Sequence, residues 1–218
     1  MQTVALIPLR GGSKGILRKN IININGKPLC YWALLAATST KNIDGVYVST
    51  DSKEIAETVQ SLDLGVKIVE RPLELATDEA STDAVTLHFA SVVDFDNVVT
   101  IQATSPLLKA SQLKEAVDKY LDGNYDSLIS TYRLKQFLWN EDATPQNYDP
   151  LYRPRRQDFV GTIVENGSFY ITSRQLLMNT KTRIGGRVAF YDMPEETKFE
   201  IDKPSDLKIC EVILKSYI

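Results

Sequence analysis

Histidine is almost missing from this chain: His88 is the only one. A single imidazole cannot furnish a histidine-rich zinc site, and it leaves one residue to serve any Ser-His-Asp or acid–base relay, so neither is expected. His88 falls in a helical pattern with Val85, Phe89 and Val92 on one face, so it reads as structural. Cysteine is nearly as scarce. Cys30 and Cys210 sit in apolar, helix-like contexts and read as small core hydrophobes rather than a disulfide. No apolar run approaches the ~18 residues of a membrane span, so no membrane partner is expected. Met1-Gln2-Thr3 leads straight into an apolar run without a cationic leader or cleavage site, which predicts a cytoplasmic protein. The phosphate-loop pattern G-x-x-x-x-G-K-[ST] and the dinucleotide pattern G-x-G-x-x-G are both absent. Repeats, low-complexity tracts and flexible linkers are absent too, and 218 residues suit a single domain, 1–218.

The most informative absence is local. No Asp or Glu precedes Asp44, whereas Arg10, Lys14, Arg18, Lys19, Lys27 and Lys41 do, in a chain of formal net charge −3. The negative total argues against a nucleic-acid-coating role. The basic segment therefore has a local purpose. It follows an apolar run, Thr3 to Leu9, that reads as a buried strand and empties into Arg10-Gly11-Gly12-Ser13-Lys14-Gly15. Glycines there are expected to adopt positive φ and expose successive N–H groups, a concave site for anions. With four cations beside it, the expected ligand is a polyphosphate.

Along the chain, the apolar periodicity predicts helices over 28–40, 53–62, 81–93 and 111–121, the last stopped by Gly123. Strands are predicted at 45–51, 66–69, 98–101, 126–134, 166–172 and 187–193. A last helix is predicted from Ser205 or Asp206, with Leu207, Cys210, Leu214 and Tyr217 inward. Asp51-Ser52-Lys53-Glu54 matches a capping box, so Asp51 reads as structural. The early βαβαβαβ order implies an α/β, Rossmann-like, mostly parallel sheet with helices on both faces. Right-handed crossovers then bring Arg10–Lys19, Ser49–Asp51, Arg71 and Gln102–Ser105 to one rim, where open α/β sheets bind ligands. Residues 136–158 break the pattern with Phe137, Trp139, Tyr148, Pro145, Pro150 and Pro154, and read as an inserted arm.

Six stretches now form a series: Arg10–Gly15 with Lys19-Asn20, Val48–Asp51, Gln102–Pro106, Arg153–Asp158, Glu165–Tyr170 and Glu200-Ile201-Asp202. In this order and spacing the chain resembles the N-acylneuraminate cytidylyltransferases, the CMP-sialic acid synthetases, over nearly its full length. It departs from their pattern at Leu17, where the family usually has Pro, and at Glu200, where it usually has Asp. The resemblance implies a nucleotide-sugar-transferase fold and transfer of CMP from CTP to a nine-carbon 2-keto sugar acid, with Mg²⁺ or Mn²⁺. It implies that Arg10, Gly11, Gly12, Ser13, Lys14, Lys19, Asn20, Arg71 and Ser81 serve the nucleotide, with Arg71 near the cytosine. Ser81 equally suits a helix cap. Gln102, Thr104 and Ser105 offer amide and hydroxyl groups to the sugar, and Arg155, with Gln157, suits its carboxylate. Asn166 and Tyr170 share a strand face; by resemblance that face lines the sugar pocket, and unaided it reads as half-buried core. Catalysis is expected from Lys14, Arg10 and Asp202, with Asp202 and Glu200 holding metal on one face of an extended segment and Ile201 turned to the core. The arm's aromatics predict a homodimer. The alternatives are an enzyme activating an eight-carbon 3-deoxy sugar acid and a non-catalytic nucleotide-binding module.

Overall fold

The run from Thr3 is apolar throughout because both of its faces are covered. In a computed structural model, which describes residues 1–217, it forms β1 (Thr3–Pro8), an interior strand of a seven-stranded sheet. A two-residue hairpin, β2 (Asn23–Ile24) with β3 (Lys27–Pro28), precedes α1 (Leu29–Thr38). The chain continues through β4 (Gly45–Thr50), α2 (Lys53–Ser61), β5 (Lys67–Glu70), α3 (Thr82–Val92), β6 (Asn97–Ile101) and α4 (Ala110–Asp122). It ends with β7 (Ser127–Leu134), β8 (Thr162–Ser173), α5 (Arg174–Thr180), β9 (Val188–Asp192) and α6 (Pro204–Lys215). The strand order is β5-β4-β1-β6-β8-β7-β9. Alternate residues of β1 feed opposite layers. Ala5 and Ile7 meet α1, α2 and α4, whereas Val4 and Leu6 meet Phe89 of α3 and Leu177 of α5.

Within the seven-stranded sheet every pairing is parallel except those of β8, which runs against both β6 and β7. Hydrophobic patterning carries no direction, so only the tertiary pairing reveals this. With Leu134 opposite Thr162, residues 136–158 become the tip of a long β7–β8 hairpin. β8 also begins earlier than the expected 166, because its first residues pair with β7 beyond a bulge between Ile129 and Thr131. Helix α5 was not expected; Ser173 caps it, accepting from Leu176 N–H at 3.1 Å.

Other local expectations need correction. Val92 is exposed, and only Val85 and Phe89 of the expected α3 face are buried. The cap of α2 is Ser52, which accepts from Ile55 N–H at 3.3 Å, and not Asp51. Helix α6 starts at Pro204, and the Asp206 carboxylate accepts from Lys203 N–H at 2.8 Å, so Ser205 is no cap.

A small third cluster decides the site. Cys210 and Leu214 of α6 pack with Ile24, Leu29 and Leu107, and also hold Ile16 and Ile201. Burying those two residues together pins the glycine loop against the acidic segment from the far end of the chain.

Candidate active site

At the end of β1, Leu9 N–H donates to Ser49 C=O at 2.9 Å and continues the sheet by one bond. Gly11 N–H then donates to the Asp51 carboxylate at 2.9 Å. The Asn20 amide, buried behind the loop, donates to Arg10 C=O at 2.9 Å. The loop is thus braced from both sides. Its three glycines do not take positive φ as expected; it is Arg18 that is left-handed, at φ 56°. The glycine requirement is one of space instead. A Cβ on Gly15 would lie 2.5 Å from Asp202 C=O, and one on Gly11 would lie 3.0 Å from Ser52 Cβ. Gly11 offers its N–H to Asp51 rather than to a ligand.

The loop faces a cavity of about 490 Å³ beyond the carboxyl ends of the parallel strands. Arg10, Ser13, Lys14, Lys19 and Asn20 line it, with Arg71 just after β5 and Gln102 and Thr104 just after β6. Arg71 is buried, its Nη2 donating to Ser49 C=O at 2.6 Å and its Nε to Ser49 Oγ at 3.2 Å. Burial pushes its guanidinium down to about 10, countered in part by Asp51 and aided by Arg10. Arg71 therefore stays charged at neutral pH. Ser49 and Asp51 support the cavity without lining it. Two carboxylates pair with the cations: Asp78 meets Arg10 and Lys14, each at 2.7 Å, and Asp202 meets Lys19 at 3.0 Å.

Several expected residues lie elsewhere. Gly11, Gly12 and Ser81 do not line the cavity; Ser81 caps α3, accepting from Ala84 N–H at 3.1 Å, while its neighbours Ala80 and Thr82 form the wall. Ser105 is buried behind the wall, its hydroxyl donating to Glu200 at 3.3 Å. Asn166 is buried and already engaged, donating to Thr197 Oγ1 at 2.9 Å and accepting from Ser168. The β8 bulge separates it from Tyr170, so the two do not share a regular strand face. Tyr170 donates to Glu165 at 3.1 Å under the Arg183 guanidinium, 4.5 Å from the ring centroid. Arg155 and Gln157 are exposed on the arm, with Arg155 paired to Asp158 at 2.7 Å. Sequence reasoning missed Asp78, Thr77, Leu75 and Thr82, which also line the wall. Only the polar run Thr77-Asp78-Glu79 after a strand hinted at them.

A family model described as cytidylyltransferase matches residues 4–217. The chain belongs to the cytidylyltransferase family. It is 40% identical over 215 residues to N-acylneuraminate cytidylyltransferase B of Danio rerio, covering 95% of this chain and 50% of the relative. It is 29% identical over 226 residues to pseudaminic acid cytidylyltransferase of Campylobacter jejuni, covering 99% and 97%. The chain thus spans about half the length of the Danio rerio relative and nearly all of the Campylobacter one. Its fold matches that of a CMP:2-keto-3-deoxy-manno-octonic acid synthetase solved with CTP, at TM-score 0.76, 16% identity and full coverage of both chains.

In this member of the cytidylyltransferase family the late acids follow no strand. A 3₁₀ turn, Glu195–Lys198, leads into them, and Ile201 N–H donates to Thr104 C=O at 2.8 Å. Ile201 is buried as expected. Lys198 pairs with Glu195 rather than with Glu200. Gly167, at φ 80°, leaves the space that the Glu200 carboxylate fills; any Cβ there would collide with it. Burial raises the pKa of Glu200, and the Asp202 charge raises it further. An acid raised in the folded state favours folding when protonated and loses that advantage as pH rises through its folded pKa. Glu200→Gln is therefore expected to melt at a higher temperature than wild type at pH 7. The gain should vanish on acidification below the ordinary carboxylate range. Equal melting temperatures at both pH values would show that Glu200 is not under strain.

Proposed function

We propose that this chain transfers CMP from CTP to the anomeric hydroxyl of a nine-carbon 2-keto sugar acid and releases pyrophosphate. One observation carries the reading: Arg10, Lys14, Lys19 and Arg71 converge on one cavity at the carboxyl rim, which Asp202 also lines. The sugar is taken from the 40% identical relative. In the reaction the sugar oxygen bonds to the α-phosphorus, the bond from that phosphorus to the β-phosphate oxygen breaks, and the hydroxyl proton is lost. Arg10, Ser13 and Lys14 bind the triphosphate and stabilise charge on the departing pyrophosphate. Lys19 reaches phosphate, Asn20 holds the loop, and Arg71 faces the base. Gln102 and Thr104 orient the sugar.

The donor set fits a divalent ion. A cation, the Lys19 ammonium, already sits 3.0 Å from Asp202, and Glu200 is close enough to feel its charge. Among the described residues no group of three ligating side chains occurs. Mg²⁺ suits such a site, because it binds through one or two carboxylates and completes its shell with phosphate and water. Asp202, with Glu200, would hold Mg²⁺, with Mn²⁺ as a substitute, and the ion would supply charge neutralisation at the phosphate oxygens.

The arm supports a homodimer. Phe137 packs in tilted pairs with Tyr148 and Phe159 at 4.5 and 5.1 Å under Arg153, yet Leu151 and Tyr152 remain 86% and 82% exposed. In a dimer, Arg155 and Gln157 would serve the cavity of the second copy. Sedimentation at micromolar concentration is expected to give a dimer, and a monomer would remove the arm from the site. The function is tested with CTP, Mg²⁺ and a panel of N-acetylneuraminate, pseudaminic acid and a 3-deoxy-octulosonate, reading pyrophosphate release. Release with the nine-carbon acids is expected. Tight CTP binding with no release on any acid would make the chain a nucleotide-binding module.

A further inference from the structure

Of the two carboxylates lining the cavity, Asp202 has a part in the proposed transfer and Asp78 has none. Asp78 stands on the loop between β5 and α3, whose Leu75, Thr77 and Ala80 also form the wall. Its two oxygens are divided between two cations: Oδ1 lies 2.7 Å from Arg10 Nη1 and Oδ2 lies 2.7 Å from Lys14 Nζ. Arg10 Nη1 also donates to Thr77 C=O at 3.1 Å, so the loop is tied to the glycine loop through the same guanidinium. A phosphate group would present its oxygens to these two side chains in the same way. The carboxylate and a triphosphate therefore compete for one pair of cations. Hydrogen bonds from Lys14 and Arg10 hold the Asp78 pKa below the usual carboxylate range, so the group is an anion at neutral pH.

We propose that Asp78 is an internal surrogate for phosphate, paired with Arg10 and Lys14 in the free protein, displaced by the triphosphate and re-paired as pyrophosphate leaves. The inference rests on the triphosphate reading of the cavity. Its consequence is a limit on affinity. Without ligand, Asp78 keeps two mutually repelling cations facing one point, and with ligand it competes for them, which lowers the affinity for pyrophosphate as well as for CTP. Product release limits many enzymes, and a built-in competitor speeds that step.

The test is calorimetric titration of inorganic tripolyphosphate and of pyrophosphate, at low salt and without metal, into wild type, Asp78→Asn, Asp78→Ala and Asp78→Glu. The Asn and Ala variants are expected to bind both anions about fivefold to tenfold more tightly, the scale set by losing two solvent-accessible ion pairs. Asp78→Glu should stay near wild type, and pyrophosphate should become a stronger product inhibitor of Asp78→Asn in proportion. Equal or weaker binding by Asn and Ala would mean that Asp78 is a strut that orders the cations, and would overturn the inference alone. A wild type that binds neither anion would overturn the triphosphate reading itself. Asp78 is about one-third exposed and its carboxylate touches only the two cavity cations, so both neutral variants should fold.

Discussion

Asp202→Asn is expected to cut turnover by about 10³-fold or more, the upper end of what removing one preorganised charge-stabilising group costs. The backbone around Asp202 is held independently of its side chain. Its N–H donates to Asp206 at 3.1 Å, and neighbouring Ile201 is fully buried in the cluster beneath α6. The substitution keeps the shape and removes one charge, so the loop and the cavity should persist. Two effects follow. Lys19 loses its charged partner at 3.0 Å, and Glu200 is relieved of a neighbouring negative charge. One carboxylate in place of two is a weaker ligand for a hard cation. CTP binding should then need more Mg²⁺, and Glu200→Gln should be the milder of the two changes. The measurement is kcat across a Mg²⁺ titration for both variants. Wild-type rates in Asp202→Asn would make the pair structural and the metal assignment wrong.

Lys14→Ala is expected to lose about 100-fold in kcat, the scale of one preorganised donor aimed at transition-state charge. The Lys14 side chain is 79% exposed and its ion-pair partner is Asp78. It packs against nothing whose loss would unfold the protein, so the melting temperature should not change. The fall should appear in kcat and not only in KM, because pyrophosphate carries more charge as it leaves than it does within bound CTP. An unchanged kcat would make Lys14 a solvated surface charge.

The parts of the site legible in the chain were those carried by local chemistry. A basic, glycine-rich turn after an apolar strand pointed to a candidate anion site, and Arg10, Ser13, Lys14, Lys19 and Asn20 do line one cavity with Arg71, Gln102 and Thr104. Asp78 was not legible. An acid in a polar loop looks like any solvated charge until the crossover from β5 to α3 carries it over Arg10 and Lys14. Asn166 and Tyr170 do not line this cavity, and their expected shared face was lost for a related reason. Spacing of four along a strand places residues on one face only if pairing stays regular, and the bulge in β8 breaks that rule.

By itself the sequence determined the alternation of apolar strands and helices, the mostly parallel character of the sheet, the rim at which the site lies and the sign of its charge. Each of these follows from periodicity or from the covalent order of strand and loop. Tertiary structure alone decided the direction of β8, the half-buried place of Glu200 beside Gly167 and the meeting of Gly15 with Asp202. It also decided that Gly11 spends its N–H on Asp51. These depend on contacts between residues far apart in the chain, made when Ile16 and Ile201 are buried together under α6, and no local pattern encodes such a meeting.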